Sequence, residues 1–305
     1  MATLEDLLEK TSRTFALSIP VLPEPTRREV MISYLLFRIA DTFEDASHWP
    51  PEKRITSLHD FNELLRRPAK DKARSLSKKW VAASISPHPG YTELMREVPF
   101  VLDAFWGLEP EAIEHIKTYV TRSSDGMASI VSRTKGGSLV LTSVHDLQAY
   151  CYIVAGIVGE MLTALALLHE PALLPVAPFL EERANRFGEA LQLINILKDR
   201  DDDAAEGRHY LPPNVPISEI IELARRSLQA AEEYTEAIRS AGVHSLLGFH
   251  LLLVRLAGAS LARVEQHGPG SKISRLEVLA IVTEVQAECA MAQAAASEPV
   301  TAGDA

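Results

Sequence analysis

The sequence predicts an all-α protein built as a single domain, and three observations support this fold class. Hydrophobic residues make up 47% and charged residues 24% of the 305 residues, which is typical of a folded globular chain. Aromatic residues are only 6%, whereas alanine and leucine are abundant and strict apolar alternation is rare, which favours helices over strands. Long apolar segments follow one another with only short proline- or glycine-containing breaks, so no linker separates two domains.

The helices are predicted from apolar periodicity and from start and stop signals. Residues 24–45 are apolar on nearly all sides in the middle turns, which predicts a helix buried among others. Ser143, three residues before Asp146, resembles a capping box that begins a helix running to residue 168. The other predicted helices are 50–67, 71–84, 109–130, 179–203, 218–241, 244–266 and 273–294, with a hinge at 171–178. We expect one domain over 1–295 and a disordered tail over 296–305.

Composition and charge exclude several classes of protein. The formal net charge is -10, which argues against a nucleic-acid-binding protein because phosphate backbones require cationic surface. Cys151 and Cys289 are too few for a disulfide framework or a four-ligand zinc site and suggest a reducing compartment. The N-terminal segment is acidic where a secretory signal would be apolar, and the longest uncharged apolar runs are shorter than the roughly 20 residues of a membrane span. We therefore expect a cytoplasmic protein, with at most a peripheral membrane contact.

Two clusters of acidic residues end long apolar helices and are the first candidates for chemistry. Asp41, Glu44 and Asp45 end the helix over 24–45, and Asp199 and Asp203 end the helix over 179–203. Within each cluster two aspartates are four residues apart and share one helix face. Like charges at this spacing, at the negative end of a helix dipole, destabilise a helix unless something compensates them. Mg²⁺, which prefers carboxylate and phosphate oxygens, is the expected partner. The alternative is a pair of solvated helix ends.

Basic and amide side chains flank both clusters and suggest an anionic ligand. Arg13, Arg38 and Arg208, with Lys198, are the cations that a diphosphate group requires. Arg38 lies within an apolar segment, so it is expected to be buried and to need partners. Gln192 and Asn195 precede Asp199 by seven and four residues and therefore share its face, where amides can hold a metal-bound water or only cap the backbone. The sequence contains no Walker loop, nucleophile elbow or dinucleotide fingerprint.

Four separated motifs resemble the squalene and phytoene synthase family, in the family's order and spacing, from about residue 10 to 212. They are Thr11-Ser12-Arg13-Thr14-Phe15-Ala16, Tyr34-Leu35-x-x-Arg38-x-x-Asp41-Thr42-x-Glu44-Asp45, Tyr150-Cys151-x-x-Val154-Ala155-Gly156-x-Val158-Gly159, and Gln192-x-x-Asn195-x-x-x-Asp199-x-x-x-Asp203-x-x-x-Gly207-Arg208-x-Tyr210-Leu211-Pro212. The resemblance implies an all-α isoprenoid synthase bundle with a central cavity, in which the two aspartate-rich helices face each other and bind Mg²⁺ and prenyl diphosphate.

The resemblance also assigns roles to individual residues. It implies Mg²⁺ ligands at Asp41, Glu44, Asp45, Asp199 and Asp203, and the four aspartates together with Tyr150 form the catalytic set. It implies substrate contacts from the remaining motif residues, namely Ser12, Arg13, Phe15, Tyr34, Arg38, Gln192, Asn195, Arg208 and Tyr210. Tyr150 is expected near the proton-transfer step, with released diphosphate as the alternative base. The expected partners are prenyl diphosphates, with farnesyl diphosphate first among them, and the membrane contact would serve product release.

Within the family the motifs point in two directions. Asp-Thr-x-Glu-Asp in the first acidic motif resembles squalene synthases, and Lys272-Ile273-Ser274-Arg275 resembles their basic segment near NADPH, so Lys272 and Arg275 are predicted to bind that cofactor. Gly-Arg-x-Tyr-Leu-Pro after the second acidic motif instead resembles phytoene synthases and bacterial members. Three functions therefore stay open. They are squalene synthesis from two farnesyl diphosphates through presqualene diphosphate, the same condensation without reduction to phytoene, dehydrosqualene or presqualene diphosphate, and a catalytically silent helical binding protein.

Overall fold

The computed structural model describes residues 2–134, 139–205 and 207–297, and this part of the chain is almost entirely helical. Its helices are α1 (Leu4–Thr11), α2 (Phe15–Ser18), α3 (Thr26–Glu44), α4 (Pro51–Arg66), α5 (Lys70–Ala82), α6 (Pro89–Arg96), α7 (Val98–Phe105), α8 (Pro110–Ser132), α9 (Val144–Cys151), α10 (Ile157–His169), α11 (Ala177–Ala205), α12 (Ile217–Ser240), α13 (His244–His267) and α14 (Arg275–Ser297). The only β pairing among the described residues is an isolated bridge between Val140 and His209. The predicted all-α class is confirmed.

Helices α3 and α11 form the centre of the bundle. Helix α3 packs against α4 and α8, and α11 packs against α10, α12 and α13. Residues on all sides of α3 are buried, including Ile32, Leu36 and Phe43, because apolar side chains surround the helix and each is excluded from water by a different neighbour. The predicted burial of this helix is confirmed.

The segment from α9 to α10 packs closely on α11 through glycine. Tyr152–Gly156 forms a π-helical turn between α9 and α10, and Ser143 caps α9 by accepting the Asp146 N–H at 3.1 Å, as predicted. A Cβ atom on Gly159 would collide with the Ala184 carbonyl oxygen, and one on Gly188 would collide with that of Ala155. The two backbones therefore approach within a distance that only glycine permits, and this contact fixes the π-helical turn and the start of α10 beside α11.

Several predicted boundaries need correction. Helices α1, α2, α6 and α7 were not predicted, and the hinge at 171–178 contains a 3₁₀ turn over Pro171–Val176 before α11 begins at Ala177. Helix α14 runs to Ser297, past the predicted start of the tail. The rest of that tail, 298–305, lies outside the described residues.

Two long apolar helices bear on the expectation that no segment spans a membrane. Val144–His169 and His244–His267 are long and apolar enough, by length and composition alone, to cross a bilayer, with mean hydropathy of 2.0 and 1.6. Inside the fold, 44% and 67% of these apolar windows are buried. Core helices of a bundle meet the same criterion because neighbouring helices replace lipid as their apolar surroundings.

Candidate active site

A cavity of about 780 Å³ lies between the C-terminal ends of α3 and α11. Its polar end is lined by both acidic clusters and by residues of α1, the segment after it, and α6. Its other walls are apolar and come from α2, α11, α13 and the start of α14. The apolar lining includes Phe15, Leu17, Val154, Leu191, Ile194, Leu253, Leu256, Ala257, Ile273 and Val278. A charged head and an apolar body therefore share one cavity.

The two acidic clusters face each other across this cavity, and Arg208 joins them. Its guanidinium lies 3.0 Å from Asp203 Oδ1 and 3.9 Å from Asp45 Oδ1. Burial raises the pKa of Asp203, and the charges of Asp199 and Asp45 raise it further although Arg208 opposes them. Residues of α3 thus influence a carboxyl group on α11, so the clusters form one electrostatic unit.

The first cluster holds carboxyl groups that resist ionisation. Burial raises the pKa of Asp41 to about 7, with Asp45 adding to the rise and Arg38 opposing it. Burial and the charge of Asp45 likewise raise the pKa of Glu44 to about 8. Behind Glu44 lies Arg54, which is buried and donates from Nε to the Phe43 carbonyl at 3.3 Å. Additional positive charge in the cavity would stabilise these carboxylates.

The second cluster is already paired with lysines. Asp199 accepts from Lys198 at 2.8 Å and from Lys272 at 2.6 Å, and Lys272 also reaches Asp202 at 2.5 Å. Burial alone would raise the pKa of Asp199, but the two ammonium groups lower it below its ordinary value. Lys272, predicted to bind NADPH, therefore lines the cavity and is bound to the acids of α11.

The donor set fits a hard divalent cation, although it is not preassembled. Seven carboxyl groups line the cavity, five of them from the two clusters, and carboxylate oxygens are the ligands that Mg²⁺ prefers. Within the part of the chain that the structure describes, no three acidic, histidine or cysteine side chains converge into a metal-binding group. The reason is electrostatic, since each aspartate turns to a nearby arginine or lysine and like charges separate. Asp41, Glu44, Asp45, Asp199 and Asp203 are the residues that would hold the ion.

Tyr150 and Tyr210 stack beside the acids, with ring centroids 4.9 Å apart. Burial raises the pKa of both phenols well above the ordinary value, and the negative charges of Glu44 and Asp45 add to the rise. Both residues line the cavity. They therefore present neutral hydroxyl groups and aromatic faces to anything bound there.

Arg38 was predicted to be buried, but its side chain faces the cavity. About a quarter of its side chain (26%) is exposed, and its Nη1 lies 3.3 Å from Asp41 Oδ2. Tyr34 lies behind it and does not line the cavity, since its hydroxyl donates to the Thr11 carbonyl at 2.8 Å and accepts from Arg38 Nε at 3.4 Å. The predicted substrate contact of Tyr34 is therefore corrected to a contact with Arg38.

The structure brings nearly all the other predicted residues to the cavity. Ser12 accepts the N–H of Phe15, the first residue of α2, at 2.9 Å, and Asn195 accepts from Lys198 at 2.6 Å. The remaining members that line the cavity are Arg13, Phe15 and Gln192. Arg275 is the exception, because it begins α14 as an exposed residue outside the cavity lining. Arg275 therefore does not line the cavity together with Lys272, with which it was predicted to bind NADPH.

Among the lining residues that were missed from the sequence are Lys10, His88 and Tyr91. Two of them belong to the start of α6, which was not predicted. The signal was present, since Pro89 in the first turn marks a helix start and His88 Nδ1 accepts the Tyr91 N–H at 3.4 Å as a cap. Their proximity to Arg38 could not be read from the chain, because it arises from tertiary packing.

These features define a class: an all-helical protein with one large cavity, apolar in its body and headed by two facing acidic helix ends. The family model for squalene/phytoene synthase matches residues 8–215, which contain both clusters and, except for Lys272, the polar cavity residues described above. The chain belongs to the squalene/phytoene synthase family.

Individual relatives agree with this assignment. The chain is 30% identical over 212 residues to a squalene synthase of Eremothecium gossypii, covering 68% of this chain and 45% of that protein. It is 30% identical over 210 residues to squalene synthase ERG9 of Saccharomyces cerevisiae, covering 69% and 45%. The chain thus matches about half the length of these relatives.

Solved structures show the same fold. A complex of TcSQS with a ligand aligns with a TM-score of 0.70 at 23% identity, covering 99% of this chain and 92% of that one. A dehydrosqualene synthase in complex with a ligand aligns with a TM-score of 0.55 at 20% identity, covering 94% and 95%.

Proposed function

We propose that this protein condenses two prenyl diphosphates head to head, and that its preferred reaction converts two farnesyl diphosphates to squalene through presqualene diphosphate. The observation that carries the proposal is the cavity itself, where acids from α3 and α11, joined by Arg208, head an apolar chamber of about 780 Å³. A diphosphate suits the charged end and a prenyl chain suits the apolar walls. The similarity to squalene synthases supports the choice of substrate.

The polar end is suited to removing diphosphate from the first substrate. Mg²⁺ held by the two acidic clusters would neutralise charge on the departing group. Arg13, Arg38 and Arg208 would donate hydrogen bonds to its oxygens, with Arg38 and Arg208 already fixed by Asp41, Asp45 and Asp203. The apolar walls would exclude water from the allylic cation that remains. The alkene of the second substrate would then attack that cation.

The stacked tyrosines bear on the proton that must leave after this attack. Because the pKa of Tyr150 is raised well above its ordinary value, its hydroxyl keeps its proton and is a weak base. This favours the released diphosphate as the proton acceptor. Tyr150 would then orient that diphosphate through its hydroxyl, and the faces of Tyr150 and Tyr210 would stabilise the cation.

The non-reductive condensation is the second candidate, and the placement of Lys272 and Arg275 favours it. In the reductive reaction NADPH would supply a hydride to the cation formed from presqualene diphosphate. Lys272, however, is engaged by Asp199 and Asp202, and Arg275 lies outside the cavity lining. If these residues do not bind NADPH, the product would be phytoene, dehydrosqualene or presqualene diphosphate.

One incubation tests these alternatives. The protein is supplied with Mg²⁺ and farnesyl or geranylgeranyl diphosphate, with and without NADPH, and products are identified by mass spectrometry. Squalene that appears only with NADPH supports the first candidate, and one product regardless of NADPH supports the second. No product, with no rise in melting temperature on adding Mg²⁺ and diphosphate, would instead support a silent binding protein.

We also propose that the protein acts in the cytoplasm and contacts the membrane peripherally when it releases product.

A further inference from the structure

The wall of the cavity formed by the start of α6 contacts the arginine at the first acidic cluster. Tyr91 lines the cavity, and the Arg38 guanidinium carbon lies 5.5 Å from the centroid of its ring. The same carbon lies 5.7 Å from the centroid of Tyr34. Both distances are within the range of cation–π attraction. Two tyrosine rings from different helices therefore hold one guanidinium.

The two rings matter because Asp41, the ion-pair partner of Arg38, is also expected to bind the metal ion. Arg38 pairs with Asp41 at 3.3 Å, and Asp41 is one of the carboxylates that would bind the metal ion. When Asp41 turns to a cation, Arg38 loses its ion pair. The Tyr34 hydroxyl at 3.4 Å and the two aromatic rings are then what remains to orient the guanidinium. A planar guanidinium binds phosphate oxygens in a bidentate manner only when it is held in the correct plane.

Tyr91 is itself held firmly. A Cβ atom on Gly90 would collide with the Lys10 carbonyl oxygen, so α6 contacts the backbone of α1 at the residue next to Tyr91. Lys10 Nζ also binds Glu93 Oε1 at 2.8 Å. On the other side the ring of His88 lies 4.3 Å from that of Tyr91, centroid to centroid. The position of the Tyr91 ring is thus set by its backbone and by the contact with the tilted His88 ring.

We infer that Tyr91 is a positioning residue for Arg38, holding its guanidinium in the plane that binds the diphosphate of the substrate while Asp41 binds metal. The inference rests on the proposed function in that diphosphate is taken as the ligand. The aromatic face of Tyr91 positions Arg38, because the Tyr91 hydroxyl makes no hydrogen bond to any of the described residues. Burial raises the pKa of this phenol, so the hydroxyl also stays uncharged.

The test compares variants that keep or remove the aromatic face. Tyr91→Phe keeps the face and Tyr91→Leu removes it. Tyr119→Leu is the matched control, since Tyr119 packs on Arg122 at 4.9 Å, outside the cavity lining. Binding of inorganic pyrophosphate in the presence of Mg²⁺ is measured by calorimetry. We expect affinity to fall about tenfold in Tyr91→Leu and to stay within twofold of wild type in Tyr91→Phe and in the control.

A double-mutant cycle separates positioning from a merely structural role. If Tyr91 acts through Arg38, Tyr91→Leu has no further effect on pyrophosphate affinity once Arg38 is replaced by Gln. An equal loss in both backgrounds would overturn the inference. If Tyr91→Leu has no cooperative thermal transition, Tyr91→Met, which also lacks an aromatic face, replaces it.

The outcomes distinguish this inference from the proposed function. Wild-type binding of pyrophosphate that Tyr91→Leu leaves unchanged would overturn the positioning role alone. If wild type binds pyrophosphate and the cycle behaves as expected but prenyl diphosphates are not condensed, the proposed reaction is wrong and the role of Tyr91 stands. If wild type binds no pyrophosphate with Mg²⁺, both are wrong.

Discussion

Replacing Asp41 by Asn should abolish turnover yet stabilise the metal-free protein. In the absence of metal the Asp41 carboxylate is largely buried, and burial raises its pKa from an ordinary value of 3.8 to about 7. An acid whose pKa is higher in the folded state costs stability as pH rises from the lower value through the higher one. Asn has nearly the same shape and no charge, so the cost should disappear in this variant.

The size of the effect follows from the two pKa values. Each pKa unit corresponds to about 1.4 kcal/mol, so the rise corresponds to about 4 kcal/mol. Because 24% of the side chain stays exposed, water screens part of this cost, and we expect about 2 kcal/mol at pH 8. At roughly 2 °C per kcal/mol in a domain of this size, the melting temperature should rise by about 4 °C.

The assay is thermal unfolding of wild type and variant at pH 5 and pH 8 with chelator present. The stabilisation should be larger at pH 8, where Asp41 is ionised in the folded wild type. Asp71→Asn is the control, since the Asp71 side chain is fully exposed and should change the melting temperature by less than about 1 °C. A fall of several degrees in Asp41→Asn at pH 8 would mean that Asp41 stabilises the fold and that the cluster is not a metal site.

Three further results are expected. Arg38→Lys keeps the charge but not the planar fork, so kcat/KM should fall about 10- to 100-fold in steady-state assays, and wild-type kinetics would show that Arg38 does not bind diphosphate. If Lys272 and Arg275 bind NADPH, replacing both by Ala should leave the first condensation intact and cause presqualene diphosphate to accumulate when NADPH is present, as measured by mass spectrometry, whereas unchanged squalene would remove these residues from NADPH binding. Burial lowers the pKa of His250 from 6.5 to about 4, so the stability that its neutral form provides is present above pH 6.5 and is lost as pH falls toward 4. Urea unfolding should show a loss of about 2 kcal/mol from pH 7.5 to 5 that is absent in His250→Phe, and equal losses in the two proteins would contradict this.

The parts of the fold that could be predicted are those whose signal is local. The long helix over 24–45 was predicted because its apolar residues and the proline at its start lie within one segment of the sequence. In the structure this helix is α3, over Thr26–Glu44. The eight-residue helices α1 and α6 were missed because two turns carry little periodicity. Their caps, at Thr3 and His88, were the available signals.

The residues that line the site could largely be predicted from the sequence, whereas the side chains that they contact could not. Spacing on one helix places Gln192, Asn195 and Asp199 on the same face, and all three line the cavity. The same reasoning could not show that Lys272 binds Asp199, because that contact joins residues on segments far apart in the chain. Arg38 was likewise predicted to be buried, because the sequence of an apolar helix does not show whether an arginine within it faces the core or a cavity.

The most direct test of the account is the product that farnesyl diphosphate gives with wild type and with Asp199→Asn in the presence of Mg²⁺. Asp199 is the α11 carboxylate bound by both Lys198 and Lys272, so its replacement leaves the apolar cavity unchanged while disabling the acidic end. We expect a thirty-carbon head-to-head product from wild type and a loss of at least about a thousandfold in its rate of formation in the variant. A thirty-carbon product formed at equal rates by both proteins, or only hydrolysis to farnesol by wild type, would contradict it.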